Sequence, residues 1–248
     1  MDAALGAVAF IPGLAIGSFL NVVAARVPEG RSIVKPPSAC QACGEHIRPY
    51  DNVPVVSWLL LRGRCRHCDA PISWKYPAVE LATAVLVAAC FAVFGLTWDA
   101  AVASLFCMTL VAISVTDFER RIIPNRIVLP SAAVLLVAQT ILHPSVEWAL
   151  AGIGASGFLL LAALAKPGGM GMGDVKLALL LGVMLGRVVP VALMAGMLAA
   201  LVPSVVLLAR HGSAARKMAI PFGPFLALGG VFGLFFGDAV LDLYLSVL

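Results

Sequence analysis

Long apolar runs, separated by short polar turns, make up most of this 248-residue chain. Most of the runs contain about 17–23 residues, which is enough for an α-helix to cross the hydrocarbon core of a bilayer. Eight runs lie at about 3–25, 78–97, 100–116, 126–143, 148–165, 174–187, 188–209 and 221–247, and the sixth is shorter than the others. The pattern predicts an all-α polytopic membrane protein with about eight transmembrane helices in contact with the lipid bilayer.

The composition supports a membrane protein and disfavours a soluble one. Hydrophobic residues make up 61% of the chain and charged residues only 12%, whereas soluble domains carry about 25% charged residues. The net charge of +4 is interpreted as a signal of membrane topology. We therefore expect no nucleic-acid partner.

The positions of the charges predict how the chain is oriented. Eight of the seventeen Lys and Arg residues lie between Arg26 and Lys75, and the expected topology puts most of the others on the same side. These others are Arg120, Arg121, Arg126, Lys166, Lys176, Arg210, Arg216 and Lys217. Only Arg187 falls in a loop on the opposite side. Because basic loops remain inside the cell, we expect both termini outside and the basic loops in the cytosol.

One hydrophilic segment, residues 26–77, contains two CxxC pairs. The pairs are Cys40 with Cys43 and Cys65 with Cys68, and 21 residues lie between them. This spacing is typical of a zinc site in which four thiolates form a tetrahedron. Disulfides or unpaired thiols are the alternatives, and a cytosolic location disfavours disulfides. The zinc ion would be structural, because four cysteines leave no open position for catalysis.

Two aspartates at the ends of apolar runs are the strongest candidates for chemistry. Asp117 ends the third run, and Asp174 begins the sixth after a glycine-rich break at residues 168–173. An ionisable side chain at a membrane boundary is costly and points to function. The helix count places both aspartates on the cytosolic side, where two carboxylates that share a proton could cleave a peptide bond. Which aspartate holds that proton is open.

Structural roles are alternatives for these carboxylates. Asp174 is well placed to be the N-cap of the helix that begins there. Asp117 has arginines nearby in sequence, as a solvated surface charge would. Glu80 is expected in the first turn of the second helix, where a carboxylate interacts favourably with the helix dipole.

Other protease chemistries find less support. The chain has no HExxH motif, which disfavours a zinc metalloprotease. The segment Gly154-Ala155-Ser156-Gly157 matches the GxSG of rhomboid-type serine proteases, but the four histidines lie in loops or at helix ends. Since such a serine needs a histidine base within reach, Ser156 is interpreted as a small residue at a helix contact.

Five stretches of the chain resemble the prepilin peptidases, also called type IV leader peptidases, of bacterial pilus and type II secretion systems. They are GSFLNVVAARVP (17–28), CQACG with DNVPVVSWLLLRGRCRHCDAPISWKYPAVE (40–80), TDFERRIIPN (116–125), GMGDVKL (171–177) and PFGPFLALGG (221–230). The GxGD element alone also resembles presenilin-type aspartyl proteases, but the cysteine segment favours the prepilin branch. The resemblance implies that Asp117 and Asp174 are catalytic.

The resemblance implies cleavage of the short basic leader of type IV prepilins or type II secretion pseudopilins, at the cytosolic face of the bacterial inner membrane. It also implies N-methylation of the new N-terminus with S-adenosylmethionine, an activity linked to the N-terminal region. We therefore divide the chain into a first transmembrane helix (1–25), a cytosolic zinc-binding loop (26–77) and a transmembrane aspartyl peptidase domain (78–248).

Further residues are expected to support the substrate or the active site. They are Gly171, Gly173, Lys176, Pro221, Gly223 and Pro224. Two other functions remain alternatives: a proton-coupled transporter that uses the aspartates as an ion relay, and a non-enzymatic membrane scaffold held by the zinc loop. The internal repeat that is common in transporters is not evident in this sequence.

Overall fold

Helices account for nearly all regular structure in this computed structural model, which describes residues 2–166, 170–212 and 220–247. Residues 168 and 169 of the glycine-rich break, and Arg216 and Lys217 of the last basic loop, lie outside these ranges. The described α-helices are Ala3–Arg26 (α1), Val56–Leu60 (α2), Lys75–Phe94 (α3), Trp98–Arg120 (α4), Asn125–Leu142 (α5), Glu147–Ala165 (α6), Met172–Leu185 (α7), Val189–His211 (α8) and Gly223–Val247 (α9).

Seven segments of the described chain are long and apolar enough to cross a bilayer. One of them, Met172–His211, contains α7 and α8, which are joined by the 3-10 turn Gly186–Val188. The all-helical, polytopic fold class is therefore confirmed. The seven spans are close to the predicted eight, because the sixth and seventh predicted runs lie in one span. The 14 residues of α7 make a helix of only about 21 Å, in agreement with the short sixth run.

The contacts group the chain into two compact units, Met1–Val115 and Thr116–Leu248. In the first unit α1 packs along α3. The two backbones approach closely at Gly13, where an added Cβ would lie 2.7 Å from Ala84 Cα. The functional division predicted at residues 25 and 77 stays a prediction, since this grouping reflects packing alone.

The second unit is built around α7. This helix contacts α5, α6 and α9, and α8 packs on α9. Most residues of α7 from Asp174 to Leu185 are buried. Glycines allow the closest approaches, because a Cβ on Gly182 would lie 2.5 Å from Gly152 Cα of α6. Small residues at such crossings let helices associate in lipid, where the hydrophobic effect does not drive their contact.

Glu80 has a different role from the one predicted. It is the sixth residue of α3, beyond the first turn, and its side chain is buried. Its Oε2 atom accepts a hydrogen bond of 2.7 Å from the backbone N–H of Val55, which has a left-handed φ of 61°. The expectation of a first-turn dipole partner is therefore wrong, and Glu80 anchors the cysteine segment to α3. A buried carboxylate requires such a donor.

Candidate active site and metal centre

Asp117 lies in the last turn of α4 and is only 6% exposed. Its Oδ2 atom accepts a buried hydrogen bond of 2.9 Å from the backbone N–H of Gly223, the first residue of α9. A Cβ at position 223 would lie 2.8 Å from this oxygen, so only glycine allows this approach. The interpretation of Asp117 as a solvated surface charge is therefore wrong.

Asp174 is the third residue of α7 and is 8% exposed. Gly171, rather than Asp174, is the N-cap of this helix. The two residues are joined by reciprocal bonds: the Asp174 N–H donates to the Gly171 carbonyl (3.1 Å), and the Gly171 N–H donates to Asp174 Oδ2 (3.3 Å). The predicted N-cap position is thus wrong by three residues, although the carboxylate does satisfy a free N–H group at the helix start.

The fold of the second unit brings the two carboxylates together. The charge of Asp117 acts on the carboxyl of Asp174, so the two groups lie within electrostatic range of each other. Two carboxylates that interact in this way titrate as a coupled pair.

The turn that follows Asp117 packs against the start of α7. A Cβ on Gly173 would lie 2.9 Å from the Cβ atom of Ile123, so the absence of a side chain at Gly173 allows this contact. Asn125 is the first residue of α5, and its Oδ1 atom accepts a hydrogen bond of 2.8 Å from Lys176 Nζ. These contacts hold Asp117 and Asp174 in one local structure.

The predicted supporting residues all lie near one aspartate in sequence or in space. Gly171 and Gly223 donate hydrogen bonds to the carboxylates. Gly173 contacts Ile123, and Lys176 bonds to Asn125. Pro224 is buried next to Gly223, and Pro221 precedes Gly223 by two residues. Their functional roles stay predictions. Asn125 was missed as a partner of Lys176, and its place at the end of the TDFERRIIPN stretch is the signal that could have indicated it.

The four cysteines of the hydrophilic segment form one cluster. The Sγ atoms of Cys40, Cys43, Cys65 and Cys68 all lie within 4.8 Å of one another, and the Cys40 and Cys68 sulfurs are 3.8 Å apart. A tetrahedron with Zn–S bonds of about 2.3 Å has S···S edges of about 3.8 Å. The cluster therefore fits a zinc ion bound by four sulfurs, and all four thiols are free of disulfides.

The two CxxC pairs form turns of the same design. The Cys40 N–H donates to the Glu45 carbonyl and the Cys65 N–H to the Ala70 carbonyl, both at 2.9 Å. The residue after the second cysteine has positive φ in each turn, 74° at Gly44 and 54° at Asp69. We call these turns the first knuckle (residues 40–45) and the second knuckle (residues 65–70).

Two thiols of this cluster have opposite shifts in pKa. Backbone hydrogen bonds from Cys43 and Ala42 lower the pKa of the Cys40 thiol to about 6, which favours the thiolate that metals bind. A backbone hydrogen bond at Ala70 lowers the pKa of the Cys68 thiol, but burial and hydrogen bonds with the other three cysteines raise it to about 12. Arg66 in the second knuckle holds both carboxylate oxygens of Asp51, with N···O distances of 2.6–3.0 Å. This pairing lowers the pKa of Asp51 and ties the second knuckle to the preceding turn.

Comparison with known families identifies both parts of the chain. Residues 11–94 match the model of the bacterial peptidase A24 N-terminal domain, and residues 104–208 match that of the type IV leader peptidase family. The chain belongs to the type IV leader peptidase family. The predicted family is therefore confirmed, and the second match contains Asp117 and Asp174.

Curated relatives in this family cover nearly the whole chain. A protein from Bacillus subtilis (strain 168), named prepilin leader peptidase/N-methyltransferase, is 36% identical over 96% of this chain and 97% of its own length. A protein of the same name from Pseudomonas aeruginosa is 36% identical over 94% of this chain and 91% of its own length. No solved structure matches the chain. The leader peptidase family thus accounts for the cysteine segment and the aspartate region in one protein.

Proposed function

We propose that this protein is an aspartyl endopeptidase that removes the short basic leader from type IV prepilins or type II secretion pseudopilins. The observation that carries the proposal is the pair of buried carboxylates of Asp117 and Asp174, each held by a backbone N–H, in a chain of the leader peptidase family. A transporter or a scaffold would give no reason for this family match.

The geometry supports general acid–base hydrolysis. The ionised carboxylate removes a proton from a water molecule, whose oxygen attacks the scissile carbonyl carbon. The protonated carboxyl donates a hydrogen bond to the carbonyl oxygen, which carries the developing negative charge. Collapse of the tetrahedral intermediate breaks the C–N bond, and the leaving amine takes a proton from the dyad. The leader leaves with a new carboxylate and the pilin with a new N-terminal amine.

Substitution of each aspartate tests this function. Asp117→Asn and Asp174→Asn keep the side-chain size but lose proton exchange, so each should lower the cleavage rate of a purified prepilin by at least about 10³-fold. The double variant should be hardly worse, because the two groups act as one unit. The matched control is Asp242→Asn, whose exposed carboxylate lies near the other end of α9. Full cleavage by either single variant would contradict the proposal.

The proposed location is the bacterial inner membrane, with the dyad at the cytosolic face. The basic residues between α1 and α3, and those in the turn after Asp117, support this orientation through the positive-inside rule. The leader of a prepilin, which precedes an apolar helix, would then meet the dyad before translocation.

The cysteine cluster is proposed to hold a structural zinc ion. When bound, the ion would cross-link the two knuckles through the four thiolates. Four sulfur ligands leave no open position on the ion, so it would take no part in peptide cleavage.

N-methylation of the new pilin N-terminus is proposed as a second activity, since the curated relatives carry N-methyltransferase in their names. The methyl donor would be S-adenosylmethionine. Mass spectrometry of a processed pilin should find the added methyl group, and an unmethylated product at complete cleavage would contradict this second activity.

A further inference from the structure

Each carboxylate of the aspartate pair has one oxygen held by the backbone N–H of a glycine. Gly223 donates to Asp117 Oδ2 at 2.9 Å, and Gly171 donates to Asp174 Oδ2 at 3.3 Å. In each case the donor holds Oδ2 and leaves Oδ1 as the other oxygen of the carboxylate. Both aspartates are largely buried.

We propose that Gly223 and Gly171 are positioning residues that select Oδ1 of each aspartate as the reacting oxygen. An N–H group held against Oδ2 fixes the rotation of the carboxylate and makes that oxygen the poorer site for a proton. The shared proton and the attacking water are then directed to the two Oδ1 atoms. This inference deepens the proposed peptidase function and rests on it.

The two glycines act by different means. At position 223 a Cβ would lie 2.8 Å from Asp117 Oδ2 and 3.2 Å from its Cγ, so any side chain must displace the carboxylate. At position 171 the backbone has an ordinary φ of −78° and ψ of 143°, and a Cβ would lie 3.4 Å from Asp174 Oδ2, a normal contact. Position 171 therefore needs the N–H donor, whereas position 223 needs both the donor and the absence of a side chain.

Cleavage kinetics of the full-length protein with a purified prepilin test this inference. Gly223→Ala should lower kcat by on the order of 10²-fold, because a small displacement of a reacting group has this effect, while KM changes little. Its pH–rate profile should also shift along the pH axis, since the donor no longer stabilises the ionised carboxylate of Asp117. The control is Gly157→Ala on α6, where an added Cβ meets nothing within 4 Å.

A pair of substitutions at position 171 gives an independent test. Gly171→Pro removes the donor at a φ that proline accepts, whereas Gly171→Ala keeps the donor. The proline variant should lose at least about 10-fold more kcat than the alanine variant, in line with the loss of a hydrogen bond to a charged group. This comparison decides the matter even if Gly223→Ala does not insert into the membrane.

Two outcomes would overturn the inference alone while the wild type cleaves prepilin normally. One is a Gly223→Ala protein with wild-type kcat, and the other is equal kcat for Gly171→Pro and Gly171→Ala. A wild-type protein that cleaves no prepilin would instead contradict the proposed function, and with it this inference.

Discussion

The two aspartates obtain their hydrogen bonds from backbone groups rather than from side chains. Backbone N–H donors are fixed by the helix starts of α7 and α9, and they carry no charge that would titrate with the dyad. Each carboxylate therefore has a defined orientation, which the proposed acid–base catalysis requires.

The dyad predicts a bell-shaped dependence of kcat on pH. At low pH both carboxyls are protonated and no base remains to activate water, so the rate falls with falling pH. At high pH both are ionised and no acid remains to polarise the carbonyl, so the rate falls with rising pH. Cleavage rates measured across the pH range in which the protein stays folded check this. A profile with a single limb across that range would contradict a dyad that acts with one proton.

Equivalent positions in the two knuckles allow a matched pair of substitutions that test zinc binding. Gly44 has a φ of 74° and open space around its Cβ position, so Gly44→Ala adds only backbone strain, about 1 kcal/mol. Asp69→Gly at the equivalent position of the second knuckle removes such strain. We expect about one zinc equivalent per chain in the wild type, with zinc released at lower chelator concentration by Gly44→Ala but not by Asp69→Gly. Equal zinc retention by the Gly44→Ala protein and the wild type would contradict this account.

Helix contacts depend on a few glycine crossings. Gly182 of α7 lies against the backbone of α6, so Gly182→Ala should force the helices apart and cost about 1–3 kcal/mol of stability. Because α7 carries Asp174, cleavage should fall as well. The control is Gly154→Ala on α6, whose added Cβ meets nothing within 4 Å. Thermal unfolding in detergent compares the variants, and equal melting temperatures would contradict this role of Gly182.

Run length predicted the helices well because a membrane span must satisfy all its backbone groups internally. The errors lie where the chain leaves the apolar pattern. Helix α3 begins at Lys75, three residues before the predicted run. Its first turn contains Lys75, Tyr76 and Pro77, which the apolar pattern does not include. This shift moved Glu80 beyond the first turn. Its contact with Val55 depends on the fold of the intervening loop, which no local pattern in the sequence reveals.

The orientation proposed from the basic loops places the dyad at the cytosolic face of the membrane. Labelling of intact cells with a membrane-impermeant maleimide checks this. A cysteine introduced at Ser145, in the turn between α5 and α6, should react from outside. A cysteine introduced at Glu119, near the end of α4, should react only after lysis. Reaction of the Glu119→Cys protein in intact cells would place the dyad outside and contradict the proposed orientation.

The aspartates could be found from sequence because they interrupt apolar runs, and the cysteines because their spacing is typical of zinc ligands. The partners of the dyad could not be found in this way. Gly223 lies in a stretch with features of an ordinary helix start, and its contact with Asp117 joins residues that are 106 positions apart. Such a contact forms only in the folded chain, so no local pattern in the sequence reveals it.

Gly223 follows both aspartates in the chain, so the ribosome makes it after them. Both aspartates leave the ribosome before α9 is made, so a nascent chain can contain the complete acid pair while Asp117 still lacks its donor. Insertion of α9 therefore completes the proposed catalytic centre. A chain assembled in this order should gain full activity only after α9 has been inserted.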